Sequence, residues 1–181
     1  MAGAVVLAAA VPRDDGRAML RLLKHLLIPG WLARRPFTPT VLDRIETAIR
    51  ASERTHHAEL RFVVEGDLDI RHVLRGVTAR ERAVELFSRL RIWDTAHNSG
   101  VLIYVQCVDR RIEIVADRGV AARVAQQEWD AICRRIEDAF RAGRHEEGAL
   151  QGIREITALL ATHFPASGLN TDELPDRPVV L

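Results

Sequence analysis

The sequence is short of the residues and motifs that would reveal its chemistry directly. It has only two cysteines, Cys107 and Cys133, and neither has a second cysteine or a histidine at metal-site spacing. We therefore expect both thiols to be free and buried, as is usual for unpaired cysteines. We find no glycine-rich phosphate loop, no set of four metal ligands and no nucleophile with its base along the chain. The net charge of +1 argues against a general nucleic-acid binder, which should show a strongly basic face.

Long apolar runs are also missing, and this bears on membrane insertion. The first eleven residues are apolar, but a helix that spans a bilayer needs about 20 such residues. No basic residue precedes this run, so a signal peptide for export is not indicated. Alternatively, residues 1–18 result from reading the gene too far upstream, with Met19 as the natural start. In either case we expect residues 1–18 to be disordered. The predicted location of the protein is cytoplasmic or peripheral at a membrane.

Residues 19–37 form a basic amphipathic segment that is interrupted at Pro29 and Gly30. Leucines and Trp31 recur on one side of it, and basic residues are interspersed between them. One interpretation is that residues 19–35 make a peripheral contact with an anionic membrane surface. The other is that a short helix packs against the domain with its basic side in water. We favour the second, because one short segment gives only marginal membrane affinity.

Helical and strand patterns alternate over residues 38–165, and 181 residues are sufficient for one domain. Thr78 and Glu81 form a capping box, and the nearly continuous apolar run at 101–108 predicts a strand that is covered on both faces. We therefore predict an α/β fold, a three-layer α/β/α sandwich with a small, mixed, Rossmann-like sheet, followed by a disordered tail over 166–181. The expected elements are helices from Thr38 to near His57, from Thr78 to about 91, over 126–141 and over 146–163, and strands at 59–65, 101–108 and 111–116. The last two strands form a hairpin with a tight turn at Asp109 and Arg110 or, because this pair lacks the glycine that such a turn prefers, a longer or bulged loop.

This order of elements predicts which polar residues meet. A helical crossover makes the first two strands parallel, and the hairpin makes the third strand antiparallel to both. Four oxygen-bearing side chains then share one rim of the sheet and suggest a calcium or magnesium site. Arg118 and Gly119, at the start of a helix, suggest an adjacent anion site. The alternative is that Asp94 and Asp117 are caps and turn residues, with Arg118 as an ion-pair partner. The predicted metal ligands are Glu59, Asp94, Asn98 and Asp117.

The same residues carry a resemblance to a known family. The stretch from 92 to 120, IWDTAHNSGVLIYVQCVDRRIEIVADRGV, preceded by ELRFVVEG and followed by the helices up to residue 165, closely resembles the TPM domain family. That family looks like an α/β/α sandwich. It includes thylakoid proteins linked to photosystem repair, bacterial membrane-associated proteins and an animal receptor modulator. Some members are described as acid phosphatases and others as calcium binders. The resemblance implies that Glu59, Asp94, Asn98 and Asp117 are the matching polar positions.

Two functions follow from these expectations. The preferred one is a non-catalytic TPM-type interaction module that binds a divalent cation such as calcium, or a protein partner, and acts at a membrane or an assembly. The alternative is a metal-assisted acid phosphatase, in which the cation polarises a phosphate monoester and Arg118 stabilises the developing charge. The sequence identifies no catalytic residue, and both the question of enzymatic activity and the oligomeric state stay open.

Overall fold

A computed structural model describes residues 15–166 and 173–181. The predicted disordered residues 1–14 lie outside this part of the chain, whereas a helix already begins at Asp15, ahead of the expected boundary at Met19. Over the described residues, no helix has both the length and the apolar character that crossing a bilayer requires. The helices are α1 (Asp15–Leu27), α2 (Gly30–Ala33), α3 (Pro39–Glu53), α4 (Ile70–Leu74), α5 (Ala79–Arg89), α6 (Arg118–Ala121), α7 (Gln126–Arg141) and α8 (His145–His163), and the strands are β1 (Glu59–Glu65), β2 (Gly100–Gln106), β3 (Arg111–Ala116) and β4 (Val179–Val180).

The strands form one mixed sheet in the order β3, β2, β1, β4, which confirms the predicted α/β class. β1 and β2 are parallel, with Glu59 opposite Gly100. β2 and β3 are antiparallel, with Val101 opposite Ala116. The predicted chain directions are therefore confirmed, and the starts of β1 and β2 meet the end of β3 at one rim of the sheet.

Local capping explains where the main helices begin. Thr38 accepts a hydrogen bond from the Val41 amide, and Pro39 occupies the first helical position. At α5 the predicted capping box is present, because the Thr78 amide donates to the Glu81 side chain at 2.7 Å. α3 ends at Glu53 and not near His57, because the backbone leaves the helix to pair with the end of α8, where the His57 amide donates to the Phe164 carbonyl.

The apolar side chains of the strands are divided between two hydrophobic clusters. Phe62 and Ile103 belong to a cluster that also contains side chains of α3, α7 and α8. Their neighbours Val63 and Leu102 belong to a second cluster, with side chains of α5. Because successive strand residues point to opposite faces, this division explains why the sequence of β2 is apolar almost throughout.

The β2–β3 connection is not the tight turn but the longer loop that was its alternative. β2 ends at Gln106 and the loop covers four residues, 107–110. The Gln106 side chain accepts a hydrogen bond from the Asp109 amide at 2.7 Å, and Arg110 adopts a left-handed backbone with φ of 54°. The loop lacks the glycine that a two-residue hairpin turn prefers, so the chain uses a wider loop held by a side chain.

The end of the chain also differs from the predicted disordered tail. Residues 173–181 contain β4, which pairs in parallel with β1 through Val63 opposite Val179. Leu174 is buried in the same cluster as α5. The strand pairing and the burial of Leu174, neither of which has a periodic signature in the sequence, hold the segment on the sheet. Residues 167–172 of the predicted tail lie outside the described part.

Candidate functional site

The predicted rim exists as a backbone arrangement. Glu59 begins β1 opposite Gly100, and the Asp117 amide donates a hydrogen bond to the Gly100 carbonyl at 2.8 Å. The loop that carries Asn98 reaches the same rim, because the Gly119 amide donates to the Asn98 carbonyl at 3.0 Å. Three of the four predicted metal ligands therefore come from backbone segments that meet.

Their side chains, however, are used within the protein. The Asn98 amide oxygen accepts hydrogen bonds from Arg118 Nε at 2.9 Å and from Arg118 Nη2 at 2.6 Å. Asp117 caps α6, with its Oδ1 accepting from the Arg118 amide at 2.7 Å, and its Oδ2 is buried without a hydrogen-bond partner among the described residues. Asp94 is exposed and pairs with Arg91 in its own turn at 3.1 Å. Asp117 is thus a helix cap and Asp94 a turn residue, whereas the Arg118 side chain binds an amide oxygen and not a carboxylate.

The predicted anion site is constrained in the same way. The Gly119 amide is already donated to Asn98, and a Cβ at this position would lie 2.6 Å from the His97 and Asn98 carbonyl oxygens. Only glycine fits such a close backbone approach. The Arg118 guanidinium is held by Asn98. Over the described residues, no group of three or more histidine, cysteine or acidic side chains has the geometry to hold a metal ion.

Glu59 belongs to a different cluster of buried charges that sequence reasoning missed. It is buried, and its Oε2 accepts a hydrogen bond from the Leu174 amide at 3.2 Å. Glu53 lies close by and accepts from the Leu60 amide at 2.9 Å. Burial, a hydrogen bond with Asp176 and repulsion from Glu59 raise the pKa of Glu53 to about 9. The cluster was missed because it depends on Asp176, which the sequence places in a segment without periodicity.

This cluster fastens the end of the chain to the core. Arg50 Nε donates to Asp176 Oδ2 at 3.0 Å. The buried Arg61 donates from Nη1 to the Arg177 carbonyl at 3.3 Å. Burial lowers the pKa of Arg61, although Asp176 and Glu53 oppose that effect. The carboxylates and guanidinium groups therefore hold residues 174–177 against β1, which is a structural task.

A serine and histidine pair also occurs, but it is closed to substrate. Ser52 Oγ lies 2.8 Å from His56 Nε2 and 2.6 Å from Thr157 Oγ1, and both Ser52 and His56 are buried. Burial lowers the pKa of His56 to about 4, so the ring is neutral at neutral pH. An activated nucleophile must reach its substrate, and this one links α3 to α8 inside the fold.

The most unusual surface lies on α1 and α2. The favoured interpretation placed the apolar side of this segment against the domain and its basic side in water, but the structure turns most of the leucines outward and directs two of the basic residues towards the domain. Arg21 and His25 point inward to Asp109, with Arg21 Nε donating to Asp109 Oδ2 at 2.9 Å. The Leu68 amide donates to His25 Nδ1 at 3.1 Å, so the other ring nitrogen carries the proton and donates to Asp109 at 3.2 Å. Burial alone would raise the pKa of Asp109, but the hydrogen bonds from His25 and Arg21 outweigh it and hold the pKa at about 2.

The apolar side of α1 consequently faces outward. Seven large apolar side chains on these two helices are between 43% and 74% exposed, and we call this set the N-terminal apolar surface. The helices are fixed to the domain at the break between them, where the Gly66 and Gly30 backbones are so close that a Cβ on Gly66 would lie 2.6 Å from Gly30 Cα. The surface consists of Met19, Leu20, Leu23, Leu26, Leu27, Trp31 and Leu32.

Comparison with known proteins identifies relatives of the domain. A family model described as the TPM domain matches residues 35–159. The BA42 protein of the psychrophilic bacterium Bizionia argentinensis has a solved structure with a TM-score of 0.67, with 28% identity over 80% of this chain and 94% of that chain. The N-terminal domain of a P. gingivalis protein has a TM-score of 0.54, with 16% identity over 79% of this chain and 96% of that chain, and supports the fold alone. No protein with a curated description matches. The N-terminal apolar surface precedes the matched residues.

Proposed function

The chain belongs to the TPM domain family, and from that premise we propose that it is a non-catalytic interaction module that docks on an anionic membrane surface. The observation that carries this proposal is the N-terminal apolar surface. Its most exposed members are Leu27 at 74% and Trp31 at 65%. An amphipathic helix on a soluble domain normally buries its apolar stripe, and here the stripe faces outward. Contiguous apolar patches on a protein surface mark sites of protein or membrane contact.

Charge favours a membrane over a protein partner. Residues 16–42 contain no acidic residue, whereas Arg17, Lys24 and Arg35 are exposed around the apolar side chains. Each basic residue near an anionic bilayer contributes about 1 kcal/mol of attraction. Trp31 adds a side chain of the type that is enriched at the interface between lipid and water.

The contacts that fix α1 and α2 to the domain favour a preformed docking surface. Asp109 binds the Arg21 and His25 side chains on the side of α1 that faces the domain, and Arg34 Nη1 donates to the Leu181 carbonyl at 2.6 Å. A helix whose orientation is already fixed loses less conformational freedom when it binds than a helix that must first fold. This pre-organisation offsets part of the low membrane affinity that is expected of a single short segment.

A divalent cation is a secondary part of the proposal. Calcium or magnesium at the rim would need the Asn98 oxygen that Arg118 now holds, together with Asp117 Oδ2. Cation binding would therefore require Arg118 to leave Asn98. The phosphatase alternative would require the Arg118 side chain to leave Asn98, so that a cation can bind, and also to stabilise the charge on the phosphate. We therefore do not propose it.

Vesicle sedimentation of the full chain tests the docking surface. We expect it to pellet with vesicles that contain phosphatidylglycerol, and far less with pure phosphatidylcholine, because the basic residues need an anionic partner. Leu27→Gln together with Trp31→Gln should lower the bound fraction by about tenfold or more, since each side chain contributes roughly 1.5–3 kcal/mol when it is fully buried. Both side chains are exposed, so the variant should fold.

The matched control replaces one aliphatic and one tryptophan side chain elsewhere. Val84 on α5 and Trp93 are about half exposed and lie outside α1 and α2. Val84→Gln with Trp93→Gln should bind vesicles as the original chain does. If the original chain fails to pellet with anionic vesicles, or if both double variants lose binding equally, the N-terminal apolar surface is not a membrane dock. A concentration-dependent dimer that the Leu27 and Trp31 changes abolish would instead assign the surface to a second copy of the chain.

A further inference from the structure

A cavity of about 290 Å³ lies at the carboxyl end of β2, beneath the junction of α1 and α2. In open α/β sheets, small ligands bind in crevices outside the carboxyl ends of the strands. We propose that this cavity binds a small amphiphilic carboxylate, with its apolar body inside and its carboxylate at the mouth. The site is separate from the rim of Glu59 and Asp117, and it goes beyond the docking function proposed above.

The inner wall of the cavity is apolar and aromatic. Val105, Val108 and Ile112 form part of it and are nearly fully buried. The Phe37 and Phe140 rings pack edge to face, with their centroids 5.8 Å apart. Such a wall favours a hydrocarbon or aromatic body and disfavours a sugar or a hydrated ion, whose polar groups would lose water without gaining hydrogen bonds.

The mouth of the cavity carries positive charge. Arg110, Arg111 and Arg141 line it, and Glu137 is the acidic residue among the lining side chains. Glu137 lies 3.9 Å from Arg111 Nη1 and 3.4 Å from Arg141 Nη2, and Arg141 also pairs with Asp138. Arg110 has no ion pair within the described residues. Three guanidinium groups thus face two carboxylates, and the uncompensated charge at Arg110 matches a single negative charge on the ligand.

Size limits the ligand further. Ligand cavities in proteins usually measure roughly 300–1,000 Å³, so this one is at the lower end. It suits a medium-chain or aromatic carboxylate and is too small for a dinucleotide or a lipid with two acyl chains.

Burial raises the pKa of the Cys107 thiol in the wall to about 12, so this side chain is a neutral part of the apolar surface.

Calorimetric titration of the full chain with octanoate, and with octan-1-ol as its uncharged counterpart, tests the proposal. We expect saturable binding of one octanoate, about tenfold tighter than octan-1-ol, because a hydrogen bond to a charged group is stronger than one between neutral groups. Arg110→Gln should reduce octanoate binding to the level of octan-1-ol. Arg134→Gln, which removes an exposed arginine of α7 outside the cavity, should leave it unchanged. Equal affinity for the two probes, or an unaffected Arg110→Gln variant, would overturn the proposal.

A second measurement separates this cavity from the N-terminal apolar surface. In methyl NMR spectra, octanoate should shift the signals of Val105, Val108 and Ile112. Shifts confined to Leu26 and Leu27 would show that octanoate merely coats the exposed helix, and would overturn the proposal. Leu27→Gln with Trp31→Gln should keep full octanoate binding while it loses vesicle binding, so the failure of one proposal is distinguishable from the failure of the other.

Discussion

Replacing Arg82 with methionine should be among the most damaging single changes in this protein. Arg82 on α5 is buried and donates from Nε and Nη2 to the carboxylate of Glu65, the last residue of β1, at distances between 2.6 and 3.1 Å. The buried Tyr104 hydroxyl donates to Glu65 Oε2 at 2.5 Å. The hydrogen bond with the Glu65 carboxylate raises the pKa of Arg82, so the buried guanidinium keeps its charge. Methionine preserves the apolar stem of Arg82 but removes its charge.

The expected loss of stability comes from the Glu65 carboxylate, which stays buried when Arg82 is removed. Without Arg82, the Glu65 carboxylate keeps the Tyr104 hydroxyl as a partner in a site that is nearly closed to water. Breaking a buried ion pair in this way costs about 3–5 kcal/mol. A domain of this kind is stable by about 5–15 kcal/mol, so the variant should lose a large part of its free energy of unfolding. Replacing both partners, with Glu65→Leu and Arg82→Met, should cost less than the single change, about 1–3 kcal/mol for the Tyr104 hydroxyl left unpaired.

Urea unfolding followed by circular dichroism measures these differences. Arg89→Met is the control, since Arg89 is on the same helix, is mostly exposed and has only a 3.6 Å contact with Glu85. It should change the free energy of unfolding by less than about 0.5 kcal/mol. A loss below about 1 kcal/mol in Arg82→Met, or a double variant that costs the sum of its single changes, would refute the reasoning.

Two further predictions concern the buried acidic cluster and the rim. Because the pKa of Glu53 is raised to about 9 from an ordinary value of 4.5, the folded protein keeps a proton that the unfolded chain releases, so its stability should decrease as pH rises from about 5 to about 9. Glu53→Gln, which mimics the protonated carboxyl group, should remove most of this decrease in urea unfolding at each pH; an unaltered slope would exclude Glu53 as its origin. At the rim, Arg118→Ala should free the Asn98 amide oxygen, which lies beside the Asp117 Oδ2 that is already unpaired within the described part of the chain, so millimolar calcium should raise the melting temperature of this variant more than that of the original chain. Adding Asp117→Asn should cancel that gain, and equal melting temperatures with and without calcium would remove Asp117 from any cation site.

The predictable part of the fold is the part with local signals. The capping box at Thr78 and Glu81 and the proline after Thr38 fix two helix starts through contacts within a few residues. The strand at 59–65 was predicted with its observed bounds, because apolar side chains alternate within it and Gly66 ends it. Strand directions then followed from the lengths of the connections between the strands. In contrast, β4 depends on contacts with a strand more than a hundred residues earlier, and its two valines carry no pattern of their own.

The candidate site was less predictable than the fold, for a related reason. Chain direction correctly brought the Asn98 and Asp117 segments to one rim, but it could not show that Arg118 would occupy the Asn98 oxygen. Side-chain pairing is decided by which donor is nearest in three dimensions. The same is true of Glu59, which accepts a hydrogen bond from the distant backbone amide of Leu174 and lies near the buried Glu53, whose pKa its charge raises. A sequence lists possible ligands of a metal, and only packing shows which of them the protein has already used.

The orientation of α1 illustrates the limit most clearly. Periodicity divides this helix into a basic and an apolar side, but it does not say which side faces the domain. Asp109 decides this, because it binds Arg21 and His25, which are one helical turn apart, and thereby turns the leucines outward. The pKa of Asp109 is lowered to about 2, so this stabilisation is fully present above the ordinary carboxyl value of 3.8 and is lost only as pH falls towards 2. The N-terminal apolar surface is therefore a constant feature of the folded protein at physiological pH. Because Ile28 and Ala33 at the same junction line the cavity, one partly buried carboxylate, Asp109, orients both the proposed membrane dock and the roof of the proposed carboxylate site.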